Sequence, residues 1–316
     1  MHSATAKPKI VIVCGPTGIG KTAVAIELAR HFKGQIIGAD SMQIYKYMDI
    51  GTAKPTAEEQ AQVVHHMVDI VAPDEPFDGA RYAEQARHII AKLCRQQILP
   101  FVVGGTGLYI KALLYGLFND DVSDPQIRAK LKVEAETHGI DILYRRLRRL
   151  DPETAQRLHP HDTYRILRAL EVVEASGKAI SRHHREHGFG EHPFDALKIG
   201  LQMQREILYE RINQRVDAMF AAGFLDEVKN LLAWGYAGDL NAMQAIGYRH
   251  LVDLIQGRIS PAECLRTLKR DHRRYAKRQL TWFHADSEII WKTPRQIKEM
   301  IRLVKQFIGA DQVNEH

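Results

Sequence analysis

The segment Lys9-Ile-Val-Ile-Val-Cys14, followed at once by Gly15-Pro-Thr-Gly-Ile-Gly-Lys-Thr22, restricts this chain more than any other. The first six residues are dominated by β-branched side chains and read as a short buried strand. The next eight fit G-x-x-x-x-G-K-[ST] at every fixed position, and the residues after Lys21 continue with helical apolar spacing. Strand, glycine loop and helix in that order form a phosphate cradle. Glycines let backbone N–H groups turn inward around phosphate oxygens, and the helix N-terminus adds partial positive charge. Lys21 supplies a full charge, and the Thr22 hydroxyl is a ligand suited to Mg²⁺. The signal is strong for a bound diphosphate or triphosphate and weak on what becomes of it.

The elements around this cradle predict an α/β fold with a P-loop NTPase-like parallel sheet. Gln35–Asp40 reads as a second strand, Val64–Val71 as a weaker third, Gly79–Gln96 as a helix and Leu99–Val103 as a buried strand ending at Gly104-Gly105. Strands separated by helices imply parallel pairing. From about residue 117 to 198 no buried strand is evident, and apolar residues at helical spacing alternate with arginines, as in Leu143-Tyr-Arg-Arg-Leu-Arg-Arg-Leu150. This predicts an all-helical insertion, leaving 1–116 and 199–316 as the core. Strand character returns at Leu197–Met203. Ser260-Pro-Ala-Glu263 and Thr293-Pro-Arg-Gln296 carry capping-box and N1-proline signals and predict helix starts.

Composition removes several classes. With 316 residues and 45% hydrophobic content the chain is not mainly disordered, and its longest apolar runs fall far short of the roughly 20 residues a membrane helix needs. The start, Met1–Lys9, lacks the apolar core of a secretory signal. Three scattered cysteines, Cys14, Cys94 and Cys264, without a C-x-x-C pair argue against a disulfide framework or zinc ribbon and for a reducing cytoplasm. Cys14, beside the cradle, is expected to pack as a small apolar residue. The net charge of +6 means little by itself. Its distribution says more, because residues 117–198 are neutral overall, 14 basic against 14 acidic, yet hold ten arginines.

A cradle of this kind usually serves a nucleotide kinase or NTPase. Such proteins place a Mg²⁺-directed acid at the end of another buried strand, but Leu99–Val103 runs into Gly104-Gly105-Thr106. The acid at a strand end is Asp40, in Asp40-Ser-Met-Gln-Ile-Tyr45, at the sheet edge where such folds bind ligands. Spacing leaves three roles open for it: metal ligand, general base or turn cap. A kinase and a non-catalytic RNA-binding P-loop protein are the alternatives to the reading below.

Six blocks in order carry a resemblance: Gly15–Thr22, Asp40–Tyr45, Asp49-Ile-Gly-Thr-Ala-Lys-Pro55, Gly104-Gly-Thr-Gly-Leu-Tyr109, Ala245-Ile-Gly-Tyr-Arg249 and Tyr275-Ala-Lys-Arg-Gln-Leu-Thr-Trp282. Together, over about residues 8–285, the chain resembles the tRNA dimethylallyltransferases, also called tRNA isopentenyltransferases. The resemblance implies transfer of a dimethylallyl group from dimethylallyl diphosphate to N6 of the adenosine just 3′ of the anticodon (position 37), with Mg²⁺ assisting and diphosphate leaving. It implies that Gly15, Pro16, Thr17, Gly18, Ile19, Gly20, Lys21 and Thr22 hold the diphosphate and that Thr22 reaches the metal. It implies that Asp40 is the catalytic carboxylate, with Thr106 near the reacting groups. Contacts to tRNA are implied for Asp40, Ser41, Met42, Gln43, Thr106, Arg128, Tyr164, Arg165, Ile166, Leu167, Arg168, Gln244, Ala245, Ile246, Gly247, Tyr248 and Arg249. The expected partners are tRNA and dimethylallyl diphosphate, for a cytoplasmic monomer without membrane contact.

Other signals carry less. Arg266–Arg278 holds seven basic residues in thirteen, but Leu265, Leu268, Tyr275 and Leu280 at core spacing require one face to pack, so its charges divide between surface, structure and crevice. His183-His184-Arg-Glu-His187, with His192, lacks H-E-x-x-H and neighbours Gly188 and Gly190, which predicts a solvated loop over a zinc site. His65-His66 has no assigned chemistry. The tail beyond Phe307 is expected to fray.

Overall fold

A computed structural model describes residues 7–116, 124–187 and 192–309. The chain divides into two compact units, residues 1–114 with 193–316, and residues 115–192. The expected insertion began two residues later and ran six residues further, because the returning strand starts at Asp195, ahead of the apolar run that marked it.

In chain order the first unit opens with strand β1 (Lys9–Cys14), helix α1 (Lys21–His31), β2 (Gln35–Gly38), α2 (Ala57–Gln62), β3 (His65–His66), α3 (Gly79–Arg95), β4 (Pro100–Gly104) and α4 (Gly107–Tyr115). The second unit supplies α5 (Pro125–His138), α6 (Ile140–Leu150), α7 (Pro152–Arg157), α8 (Thr163–Ser176) and α9 (Ile180–His187). The chain then returns with β5 (Asp195–Leu201), α10 (Arg205–Ala221), α11 (Phe224–Ala233), α12 (Tyr248–Ile255), α13 (Pro261–His284), β6 (Ile290–Lys292) and α14 (Ile297–Gly309).

The six strands form one all-parallel sheet in the order β3-β2-β4-β1-β5-β6. β1 lies inside it, with Ile10 to Cys14 at most 1% exposed, which is why its sequence is a continuous apolar run with no alternation. Helices α1, α10 and α14 share one core cluster with this strand through Val24, Leu28, Ile212, Met300 and Val304. A second cluster joins Ile44, Tyr45 and Met48 to α10–α13 through Val216, Phe224, Tyr248, Leu251 and Leu268. The C-terminal ends of β1, β2 and β4 therefore lead into the cradle, Asp40 and Gly104-Gly105-Thr106 on one edge of the sheet.

Two expected elements differ. The third strand shrinks to His65–His66, with one isolated bridge from Tyr45 to Val71, because Met67 (φ 63°) and Asp69 (φ 55°) turn left-handed and interrupt extended backbone. Thr293–Gln296 forms a side-chain-bonded turn, with Thr293 N–H donating to Gln296 Oε1 at 2.8 Å, and α14 starts one residue after it. Ser260 does cap α13, accepting from Glu263 N–H at 3.2 Å, but the Glu263 carboxylate turns to Arg266 and leaves the box half made. α14 continues to Gly309, past Phe307, and the residues beyond it lie outside the described ones.

The regular structure in the described residues of the smaller unit is all helix, joined by short turns. Leu131, Leu143, Leu147, Ala155, Ile166, Leu167 and Leu170 make its core, and Asp124, Asp151 and Asp162 cap α5, α7 and α8. The histidine stretch is a correction: Ile180–His187 is helical, and His183 is buried with its Nε2 3.0 Å from Ser176 Oγ. Gly188–Glu191 lie outside the described residues. Among the described residues no three His, Cys, Asp or Glu side chains converge on a metal position, and no helix is long and apolar enough to cross a membrane.

Candidate active site

The cradle takes the shape that its glycines permit. Gly18 (φ 78°) and Gly20 (φ 98°) are left-handed, so the loop can curl over its own amides without a Cβ in the way. Gly20 sits at the N-cap of α1 with no side chain accepting from the first amides, and the first turn carries no acid. An uncapped helix start of this kind favours an anion. Lys21 Nζ donates to the Gly15 and Pro16 carbonyls at 3.0 and 2.9 Å, which parks the ammonium beside the loop. Burial lowers its pKa to about 8, with Asp40 acting against the shift and Arg215 with it. It is therefore charged at neutral pH and poorly solvated, a state that an arriving phosphate relieves.

Asp40 follows β2. Its Oδ1 accepts from Met42 N–H at 2.9 Å, a local turn that holds the carboxylate at the sheet edge. Thr106, after β4, accepts from Ser41 N–H at 3.0 Å and lies 3.3 Å from Ser41 Oγ. The two strand ends are held close by Gly104, where a Cβ would fall 1.9 Å from the Ala39 carbonyl oxygen. No side chain fits at the end of β4. The strand-end acid of a P-loop NTPase thus has no room there, and Asp40 is the carboxylate beside the cradle.

A cavity of about 410 Å³ within the larger unit joins the cradle to Asp40, while Thr106 is not among its lining residues and reaches it through Ser41. Of the residues singled out in the sequence, Thr17, Gly18, Gly20, Lys21, Thr22, Asp40, Ser41, Met42, Gln43, Gln244, Ala245, Ile246 and Tyr248 line it. Gly15 and Pro16 contribute the carbonyls that hold Lys21, and Ile19 is fully buried in the core. Gly247 caps α12, and Arg249 pairs with Asp271 at 2.9 Å. Arg128, Tyr164, Arg165, Ile166, Leu167 and Arg168 belong to the smaller unit. There Ile166 and Leu167 are core residues, and Arg168 pairs at 3.0 Å with Glu171, which is fully buried. Tyr164 and Arg165 are exposed, and the Arg128 guanidinium lies 5.3 Å from the Tyr164 ring centroid. Cys14 is packed, with its thiol pushed up to about 12 by burial.

Five further residues complete the wall: Arg215, His272 and Gln279, to which sequence reasoning assigned no role, Tyr275, which it placed on the packing face, and Arg278, from the basic run it divided between surface, structure and crevice. Gln279 is a clamp. Its Oε1 accepts from Thr17 N–H and its Nε2 donates to the Gly105 carbonyl, both at 2.8 Å, tying α13 to the cradle and to the end of β4. Tyr275 lines the cavity, and burial followed by the Asp40 charge pushes its hydroxyl up to about 12. Arg215 NH2 reaches the Thr52 carbonyl at 3.5 Å; burial lowers its pKa and Asp40 opposes the shift. Burial, reinforced by Arg215, pushes His272 down to about 3, so its imidazole is neutral. The block Tyr275–Trp282 signalled part of this set. Arg215 lies on an ordinary amphipathic helix and carried no local signal.

One face of α13 packs, as expected, but of Leu265, Leu268, Tyr275 and Leu280 only Leu268 is fully buried, the other three being half-buried at its margin. Cys264, Leu268, His272, Ala276, Gln279 and Phe283 form the buried face. Arg266, Lys269, Arg270 and Arg273 bond to Glu263, Asp217, Asp271 and Asn213, while Arg278 reaches the cavity.

Gln279→Leu tests the clamp. It keeps the volume but leaves the Thr17 amide and Gly105 carbonyl without their partner. Chemical denaturation is expected to show a loss of about 2–4 kcal/mol, and an unchanged midpoint would refute the clamp.

The residues present fit a magnesium ion. Thr22 and Asp40 put hard oxygen donors on the same cavity without a closed cage of carboxylates. Mg²⁺ is usually held this way, by one or two protein oxygens together with substrate phosphates and water.

Comparison with known proteins is consistent along the chain. Residues 43–286 match the family model described as IPP transferase, and residues 8–70 match one described as isopentenyl transferase. A tRNA dimethylallyltransferase of Desulfosudis oleivorans is 54% identical over 303 residues, covering 96% of both chains. A tRNA dimethylallyltransferase 2 of Syntrophus aciditrophicus is 47% identical, covering 98% of this chain and all of its own. Among solved structures, the full-length tRNA isopentenylpyrophosphate transferase of Bacillus halodurans aligns with a TM-score of 0.73 at 37% identity, over 98% of this chain and all of the other. A eukaryotic dimethylallyltransferase acting on tRNA aligns with a TM-score of 0.80 at 28% identity, over 96% of this chain and 80% of the other.

Proposed function

Because the chain belongs to the IPP transferase family, that of the tRNA dimethylallyltransferases, we propose that it transfers the dimethylallyl group of dimethylallyl diphosphate to N6 of the adenosine at position 37 of tRNA and releases diphosphate. The observation that carries this reading is the shared cavity: an anion cradle and one carboxylate face the same space, and Gly104 leaves no room for a second strand-end acid.

The chemistry follows from the wall. The donor's diphosphate sits among the loop amides with Lys21 beside it. The adenine amine forms its bond to the prenyl carbon that carries the diphosphate as that carbon's bond to oxygen breaks and the electron pair leaves on diphosphate. Lys21 and the α1 amides face the charge that grows on the leaving group, and they are arranged before the reaction starts. The amine's proton passes to Asp40, since a ring-delocalised lone pair is a poor nucleophile until that proton is removed. Thr106 fixes the turn that carries Asp40 by accepting from the Ser41 amide. When bound, Mg²⁺ held by Thr22 would neutralise part of the diphosphate charge. The target base must leave its stack to reach a cavity of this kind, at a cost of a few kcal/mol that is least in a single-stranded loop.

Incubation with unmodified tRNA, radiolabelled dimethylallyl diphosphate and Mg²⁺ tests this directly. Label is expected in tRNAs with adenosine at position 37. No transfer to any of them would overturn the reading, and ATP-dependent phosphorylation of a nucleoside would favour a kinase.

The exposed arginines of the smaller unit are the proposed grip on the tRNA phosphates. Arg165 is the clean probe, because its side chain is 66% exposed and its partner Asp162 is a surface acid on the same helix turn. Arg165→Ala is expected to weaken tRNA binding a few-fold and to reduce its logarithmic salt slope by about 1. Binding and slope equal to wild type would exclude Arg165 from the interface. Arg168→Ala would remove the 3.0 Å partner of the buried Glu171 carboxylate, which also meets Arg128 at 3.7 Å, and so mix unfolding with binding.

A further inference from the structure

We propose that Glu227 is a positioning residue for the acceptor side of the cavity, an inference that rests on the proposed tRNA transfer and on Gln43 and Tyr248, which line the cavity, being among its tRNA contacts. Glu227 lies in the first turn of α11 and lines nothing itself. Its Oε2 accepts from Asp49 N–H at 2.9 Å and Ile50 N–H at 2.7 Å, and its Oε1 from Gly51 N–H at 3.2 Å and the Tyr248 hydroxyl at 2.6 Å. Three consecutive amides converging on one carboxylate form an anion nest filled by the protein's own side chain. Hydrogen bonds to an ionised acceptor are the strong kind. Burial and the Glu227 charge hold the Tyr248 hydroxyl well above its ordinary pKa, so it remains a donor.

The docked loop is what the cavity uses. Gly51 is pressed between rings, since a Cβ there would fall 2.2 Å from Phe224 and 2.6 Å from Tyr248. The next two carbonyls, of Thr52 and Ala53, accept from Gln43 Nε2 at 3.2 and 3.0 Å, and the Thr52 carbonyl also meets Arg215. One carboxylate outside the cavity thus sets the loop that aims Gln43 and Arg215, and it holds Tyr248 in the wall. The cradle is not part of this chain of contacts. Loss of Glu227 should therefore disturb the acceptor side and spare the donor side.

The test uses the full-length protein with Glu227→Ala and Glu227→Gln, unmodified tRNA and dimethylallyl diphosphate. Amide hydrogen exchange at residues 49–51 is expected to quicken in both. The tRNA KM is expected to rise roughly tenfold or more in the alanine variant, less in the glutamine variant, with the donor KM unchanged. A tRNA KM equal to wild type despite faster exchange, or both KM values rising together, would overturn the positioning role. Should Glu227→Ala fail to fold, Glu227→Gln alone reads the same split, and an unaltered tRNA KM beside quickened exchange at 49–51 overturns the proposal equally. A wild-type chain that transfers no label would defeat the parent reading and the acceptor role with it. Exchange at 49–51 would then still report whether Glu227 holds the loop.

Discussion

Replacing Asp40 by asparagine is expected to lower prenyl transfer by about two or more orders of magnitude while leaving tRNA affinity nearly intact. The choice of asparagine follows from the structure. Asp40 Oδ1 accepts from Met42 N–H, and an asparagine oxygen can accept the same bond, so the turn survives while the proton acceptor is lost. Asp40→Ala removes both. The pair of variants therefore separates the roles that spacing left open. Two crippled variants identify a base or a metal ligand, and a raised Mg²⁺ requirement in the asparagine variant singles out the ligand. An asparagine variant within a few-fold of wild type, beside an inactive alanine variant, would make Asp40 a turn cap instead. A matching fall in tRNA binding would make it a recognition residue. Single-turnover transfer and equilibrium tRNA binding, measured side by side, decide among these outcomes.

Lys21→Ala should cost roughly 100- to 1,000-fold in kcat/KM for the donor, the range seen when one preorganised group facing a developing negative charge is removed. The ammonium rests on the Gly15 and Pro16 carbonyls, and burial has already brought its pKa down to about 8. That burial disfavours the charged form, so the truncation is not expected to lower the melting temperature. The combination of lost activity with retained fold and tRNA affinity is the signature. A variant that loses donor turnover by less than about tenfold would show that the loop amides suffice without Lys21.

The sequence alone resolved the parts whose signal is local. The cradle was legible because glycine conformation, strand burial and a helix start are written in adjacent residues, and β1, α1 and the cap at Ser260 lie where those signals put them. The third strand was less legible, since nothing in Val64–Val71 advertises left-handed backbone at Met67 and Asp69. His183 was misjudged for a similar reason: neighbouring glycines suggested a loop, while its burial depends on Ser176 one helix away.

What only the tertiary structure decided concerns partners remote in sequence. Gln279 bonds to Thr17 across 262 positions, and Glu227 bonds to Asp49 across 178. No periodicity or spacing rule reaches that far, because such pairs are created by the sheet and the packing of α10–α13 around it. The sequence determined that a phosphate cradle would form and that ten arginines would sit in the helical insertion. The fold decided that Gly104 leaves Asp40 as the acid beside the cradle, and that Arg168 serves a buried glutamate while Arg165 faces solvent. The physical reason is the same in each case. A charge or a hydrogen-bonding group acquires its role from what surrounds it once water is excluded, and that environment is assembled from distant segments of the chain.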